Sequence, residues 1–204
     1  MITVIDYGSG NLRSVEKGFL KAGFDVKVTN RPEDVQKAEA IVLPGVGAFR
    51  DCMQELTNLG MTDVLVEAIK KGTPYLGICL GMQILFSGSV EFGSCKGLDI
   101  LKGNVVRFES GELKVPQMGW NQLNIKKNSP LFNEIPDKSY FYFVHSFYVV
   151  PDDAGIISTT TDYGIEFTSS VCKDNIYAVQ FHPEKSQSLG LQMLRNFGEI
   201  IKGK

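Results

Sequence analysis

The sequence predicts an α/β protein: a central, mostly parallel sheet flanked by helices and continued by an antiparallel extension. Three observations point there. Up to residue 86, short β-branched or apolar runs alternate with stretches whose apolar residues fall at helical spacing; this is the pattern of parallel strands joined by crossover helices. From Leu98 to Val150 the runs become strand-like with few helical patterns and no linker-like composition before them, which reads as an extension of the same domain. A last apolar strand and an amphipathic helix close the chain. At 204 residues the whole length, 1–204, reads as one domain whose core needs no staples.

In chain order, Ile2-Thr-Val-Ile5 is a β-branched strand closed by Asp6-Tyr-Gly-Ser-Gly-Asn11, and Leu12, Val15, Phe19 and Ala22 then mark a helix. Gly8-Ser9-Gly10 lacks the wider dinucleotide fingerprint, so it reads as a tight turn exposing polar groups, with a phosphate cradle as the alternative. Asp25 to Thr29 is a second strand. Arg31-Pro-Glu-Asp34 starts a short helix with proline in its first turn. Ala40 to Leu43 is a third strand running into Pro44-Gly-Val-Gly47, either an ordinary turn or a backbone able to aim its amides at an oxyanion. Ala48–Leu59 and Met61–Lys71 are helical, the second stopped by Gly72.

Tyr75 to Ile78 is a buried strand, and Leu80 to Phe86 a helix joined to it without a spacer. Ser87 to Gly97 reads as a loop carrying Glu91. Strand-like runs follow at 104–108, 122–125 and 140–150, with Val115-Pro-Gln-Met-Gly-Trp120-Asn121 read as an intervening loop. Its tryptophan is either a core plug or an interface anchor. Residues 156–160, 164–168 and 177–181 read as strands, and Ser188 to about Lys202 as a helix with Leu189, Met193, Phe197 and Ile200 on one face.

Composition removes several functions. A formal net charge of −2 with 22% charged residues argues against a nucleic-acid surface. No apolar stretch reaches a membrane span, and Met1 leads straight into strand-like sequence rather than a signal peptide. The four cysteines (Cys52, Cys79, Cys95, Cys172) show no C-x-x-C pairing and only two histidines are present. No zinc site and no other metal or cofactor is therefore expected, and the thiols read as reduced, which suggests the cytoplasm.

The chemistry concentrates at three places. Cys79 stands at the strand–helix joint between Gly77 and Gly81, the order of a nucleophile elbow with sulfur in place of the serine oxygen. A helix N-terminus there favours the thiolate; a buried, inert cysteine is the alternative. His145 alternates with Phe141, Phe143, Phe147 and Val149 and reads as packed. His182 ends an apolar strand in His182-Pro183-Glu184, so Glu184 can turn back to hold the imidazole tautomer. Together with the glycine turn, these residues predict acyl transfer through a cysteine thioester.

These segments resemble a known family. Gly77-Ile-Cys-Leu-Gly81 with Gln83, and Phe181-His-Pro-Glu184, look like the signature of class I (triad-type) glutamine amidotransferases. Ile5-Asp-Tyr-Gly-Ser-Gly-Asn-Leu-Arg-Ser14, Pro44-Gly-Val-Gly-Ala-Phe49, Lys96-Gly-Leu98, Met118-Gly-Trp-Asn121, Tyr142-Phe-Val-His-Ser146 and His182-Pro-Glu-Lys-Ser186 resemble, more narrowly, glutaminase subunits of imidazole glycerol phosphate synthases. The resemblance implies the class I glutamine amidotransferase fold, with Cys79 as nucleophile, His182 as base and acid, and Glu184 as its orienter. It implies oxyanion donors at Val46 and Leu80, the Val46 turn needing a partner-driven peptide flip, and glutamine contacts at Gly47, Gln83, Glu91 and Ser146. It further implies a (β/α)8-barrel cyclase partner facing Asn11, Trp120, Asn121, Tyr142 and Lys185. Two positions depart from the subunit pattern: Gln117 stands where histidine is common, and Phe147 where tyrosine is frequent. Three other readings stay open at this point: ammonia supply to a sugar-amidating synthetase, a γ-glutamyl hydrolase, and a non-catalytic binding module.

Overall fold

A computed structural model describes residues 1–109 and 113–203. The first half alternates as its periodicity predicts: β1 Ile2–Ile5, α1 Leu12–Ala22, β2 Val26–Thr29, α2 Pro32–Gln36, β3 Ala40–Gly45, α3 Phe49–Asn58, α4 Met61–Lys70, β4 Tyr75–Cys79 and α5 Leu80–Gln83. The second half carries β5 Gly88–Ser89, β6 Cys95–Lys96, β7 Gly103–Arg107, β8 Gln117–Gln122, β9 Asn124–Ile125, β10 Tyr140–His145 and β11 Phe147–Pro151. It ends with β12 Ile157–Asp162, β13 Glu166–Lys173, β14 Ile176–Val179 and α6 Gln187–Lys202.

The main sheet runs β2-β1-β3-β4-β14-β13-β11-β7-β5-β6. Its strands from β2 to β14 are parallel, and β14, β13, β11 and β7 continue it antiparallel. β12 and β9 add a side branch, and β10 pairs with β8 in a separate two-stranded sheet.

Both faces of the parallel part are covered. Ile41 and Leu43 pack with Phe49, Leu56 and Leu65 on one side, while Ala40 and Val42 pack with Val15, Phe19, Met193 and Phe197 on the other. Adjacent residues of a strand point to opposite faces, so a doubly covered strand must be apolar at every position. Among the described residues, no helix is long and apolar enough to cross a membrane.

Four expectations need correction. Ser87 to Gly97 is not all loop, since β5 and β6 pair within it. The helix after Cys79 stops at Gln83 rather than Phe86, because the Ile84 and Leu85 carbonyls accept from Leu98, Ile100 and Leu101 of the following loop. Val115–Asn121 is not a loop: Met118 to Asn121 lie in β8, with Trp120 opposite Tyr142. The 140–150 run is two strands in two sheets, broken at Ser146, whose carbonyl accepts from the Phe108 N–H.

Candidate active site

The site begins with backbone geometry. Cys79 ends β4 at φ 55° and ψ −107°, a left-handed conformation that L-residues avoid and that costs about 1–3 kcal/mol. The surrounding packing enforces it. A Cβ at Gly77 would lie 2.4 Å from the Gly81 carbonyl oxygen, and one at Gly81 would lie 1.9 Å from that of Leu43. The buried Tyr75 hydroxyl donates to the Gly81 carbonyl at 2.7 Å, securing the turn.

Strand register then gathers the remaining parts. Gly45 of β3 sits beside Cys79, and Val179 of β14 beside Ile78. Three adjacent parallel strands therefore deliver the glycine turn, the thiol and His182 to the same carboxyl edge, where sheets of this kind bind ligands.

The side chains of His182 and Glu184 are each 2% exposed, with imidazole Nδ1 2.8 Å from the carboxylate Oε1. The His182 N–H donates to the Tyr142 carbonyl, and the His182 carbonyl accepts from Ser186 Oγ at 2.7 Å, fixing the segment at both ends. Among the described residues, His182 Nε2 and Glu184 Oε2 are buried without a hydrogen bond. Burial pushes the His182 imidazole down, but the charge of Cys79 and the Glu184 carboxylate outweigh that and raise it to about 10.

His145 has the opposite preference. Burial and the neighbouring His182 charge push it down to about 4, against the hydrogen bond to the Phe147 carbonyl, so it stays neutral.

A cavity of ≈ 390 Å³ opens over the thiol. Val46, Gly47, Cys79, Leu80, Gln83, Glu91, Ser146 and Lys185 all line it. His182 and Glu184 do not. Glu184 instead borders a larger cavity, ≈ 550 Å³, between α1 and α6. No cysteine lines that second cavity, whereas Cys79 lines the first. Glu91 Oε2 accepts from the Phe49 N–H at 2.7 Å, which ties it to the first turn of α3, just after the glycine turn.

Val46 lines the cavity. Behind it, burial and the thiols of Cys52 and Cys79 push the Tyr7 phenol up. The Val46 carbonyl accepts from Ser9 Oγ at 3.1 Å. The Gly8-Ser9-Gly10 turn thus braces the glycine turn.

Comparison with known proteins agrees with this geometry. The family model described as Glutamine amidotransferase class-I matches residues 3–200. The chain belongs to the class I glutamine amidotransferases. A Geobacter sulfurreducens protein named imidazole glycerol phosphate synthase subunit HisH is 55% identical over 205 residues, spanning 98% of each chain. A protein of the same name from Caldanaerobacter subterraneus is 50% identical, spanning 99% of each. A crystal structure titled glutamine amidotransferase superposes with a TM-score of 0.78 at 18% identity, covering 99% of this chain and 100% of that one; at that identity it supports the fold alone.

In this amidotransferase the residues expected to face a partner lie at the cavity rim or beyond it. Trp120 is 46% exposed and meets the Tyr142 ring edge-on at 6.2 Å, so it is not a core plug. Lys185 sits 5.7 Å from the Tyr142 ring centroid, joining that surface to the rim. Asn121 spends its side chain on the Asp162 carbonyl and the Gln122 N–H. Asn11 receives the Ser14 and Val15 N–H groups of α1 on its carbonyl.

Sequence reasoning missed Gln180, which is fully buried and donates Nε2 to Cys79 Sγ at 3.5 Å. The one signal for it was an amide in an otherwise apolar strand, since buried polar groups need partners. The same reasoning placed His145 merely in packing, whereas His145 walls the cavity. The two departures have physical roles here. Gln117 bonds the ring of His145 at 2.9 Å, and Phe147 offers its backbone carbonyl to Gln83 and His145, a contact indifferent to the side chain at that position.

Proposed function

We propose that this amidotransferase is the glutaminase subunit of an imidazole glycerol phosphate synthase, hydrolysing glutamine through a Cys79 thioester and passing the ammonia to a cyclase subunit. The observation that carries this reading is the Cys79 thiol in a cavity that also gathers Gly47, Gln83, Glu91 and Ser146, with the buried His182–Glu184 pair delivered to the same sheet edge. Residues 1–204 act as one domain, in the cytoplasm.

In this mechanism the Cys79 sulfur attacks the side-chain carbonyl carbon of glutamine. Imidazolium His182 gives its proton to the departing nitrogen, and ammonia leaves. Neutral His182 then takes a proton from water as its oxygen attacks the thioester. Collapse of that intermediate releases glutamate and restores thiolate and imidazolium. Glu184 holds Nδ1–H so that Nε2 faces the sulfur throughout. The N–H of Leu80 and, after rearrangement of the glycine turn, that of Val46 stabilise the oxyanion. One absent donor lowers the rate roughly 100- to 1000-fold, which keeps the isolated subunit nearly idle.

The proposed partner is a (β/α)8-barrel cyclase that receives the ammonia and forms imidazole glycerol phosphate and aminoimidazole carboxamide ribotide. Asn11, Trp120, Asn121, Tyr142 and Lys185 meet it. Support comes from Met118, Trp120 and Tyr140, which are 64%, 46% and 54% exposed on β8 and β10, an apolar cluster of the sort that marks interaction sites. The names of the close relatives favour this acceptor over a sugar-amidating synthetase.

The test is Cys79→Ala in the complex: glutamate release from glutamine is expected to fall at least about 10,000-fold with the fold intact by circular dichroism. Retained hydrolysis would place the nucleophile elsewhere.

A further inference from the structure

We infer that Gln180 is a further catalytic residue, donating a side-chain N–H to the Cys79 sulfur and holding that sulfur for attack; this rests on Cys79 being the nucleophile. Gln180 directly follows β14 and is fully buried. Its own N–H continues the sheet by donating to Ser169 at 2.9 Å. Side chains alternate along extended backbone, so Gln180 and His182 share a side while Phe181 packs on Phe141 and Phe143. One strand end therefore brings two groups to one sulfur.

The orientation of the Gln180 amide is decided by its surroundings. The Phe147 carbonyl can only accept, and it lies 3.0 Å from one end of the Gln83 amide, which must be nitrogen. That same Gln83 nitrogen lies 3.0 Å from the Gln180 amide, which must present its oxygen. The opposite end of Gln180, the NH₂, then faces Cys79 Sγ at 3.5 Å. His145 Nδ1 stands 2.8 Å from the same Phe147 carbonyl and completes the anchor.

An N–H donor favours a charged acceptor over a neutral one. Gln180 thus supports the thiolate before attack and loses hold once the sulfur is acylated. Unlike His182, it has no proton to give up in the working pH range, so its hold does not change as the histidine cycles. Gln83, whose nitrogen is committed to this chain, keeps its side-chain oxygen for the substrate.

The test uses Gln180→Met, of similar volume but without a donor, and Gln180→Glu, which keeps an acceptor for Gln83. Rates of Cys79 alkylation by iodoacetamide would be followed against pH in the free subunit, and kcat and KM for glutamine in the complex. Both variants are expected to move the midpoint of alkylation upward by about one pH unit. They should also lower kcat about tenfold with KM changed less than about twofold. Unchanged alkylation profiles and turnover in folded variants overturn the inference. Should both variants unfold, the Gln180 side-chain amide resonance of the unaltered subunit decides: movement on alkylation of Cys79 supports the contact, and an unmoved resonance refutes it. Alkylation reports on the sulfur even if Cys79→Ala proves active, so a failure of the nucleophile assignment is read separately.

Discussion

The two sides of the proposed catalytic cavity, one for the nucleophile and one for the oxyanion, are built on opposite principles. On the nucleophile side, every element is wedged: Gly77 and Gly81 have no room for a methyl group, Cys79 is held in a strained conformation, and His182 and Glu184 are buried. On the oxyanion side, Gly47 has φ +98° and open space within 4 Å of where a methyl group would stand, and Val46 is 37% exposed. Ser9 holds that turn through the Val46 carbonyl. Dense packing makes the first side a fixed reactive unit. Sparse packing leaves the second side free to change conformation, which suits a site meant to be completed by a partner.

This contrast yields predictions that separate the two sides. The largest effect is expected at Gly81→Ala, whose methyl group would overlap the Leu43 carbonyl; soluble folded protein should be lost or its unfolding midpoint should drop sharply. A variant as stable as the parent would show that the elbow is not wedged. Next comes Glu184→Gln, expected to lower turnover on the order of 1000-fold while glutamine binding, measured by calorimetry in the Cys79→Ala background, stays nearly intact. Lost binding would contradict the orienting role.

Gly47→Ala should fold, at a cost of about 1–2 kcal/mol, yet lose partner-stimulated activity roughly 100-fold. Denaturant titration and glutamate release together check this, and full stimulation would remove the glycine requirement from the turn.

The smallest effect concerns His145. Its folded-state value, depressed to about 4 from 6.5, means the unfolded chain binds the extra proton. The stability it contributes is therefore complete above about pH 6.5 and lost as pH falls through about 4, on the order of 3 kcal/mol. Urea titrations between those pH values should show a shallower acid decline in His145→Gln, and parallel curves would exclude His145 as the source.

How much was legible in the sequence follows from the same physics. The parallel half was readable because strands buried on both faces, such as Ala40 to Leu43, must be continuously apolar. The elbow was readable because its glycines are demanded within a few residues of Cys79. In the extension, by contrast, local pattern misled. The alternation through residues 140–150 is unbroken, but which sheet each half joins depends on β8 and β7, distant in the chain. Gly119 and Pro116 suggested a loop where pairing with β10 makes a strand. Gln180 was overlooked for a related reason: its amide, though out of place in an apolar strand, acquires meaning only from Gln83 and Phe147, brought to it by the fold.

The most direct test of the partner-completed site is glutamate release from glutamine by this subunit alone and then with the proposed cyclase subunit and its nucleotide. Negligible release is expected from the subunit alone, with a rise of at least about 100-fold in the complex. High release from the isolated subunit would contradict a partner-completed site, because the oxyanion side would then be complete on its own.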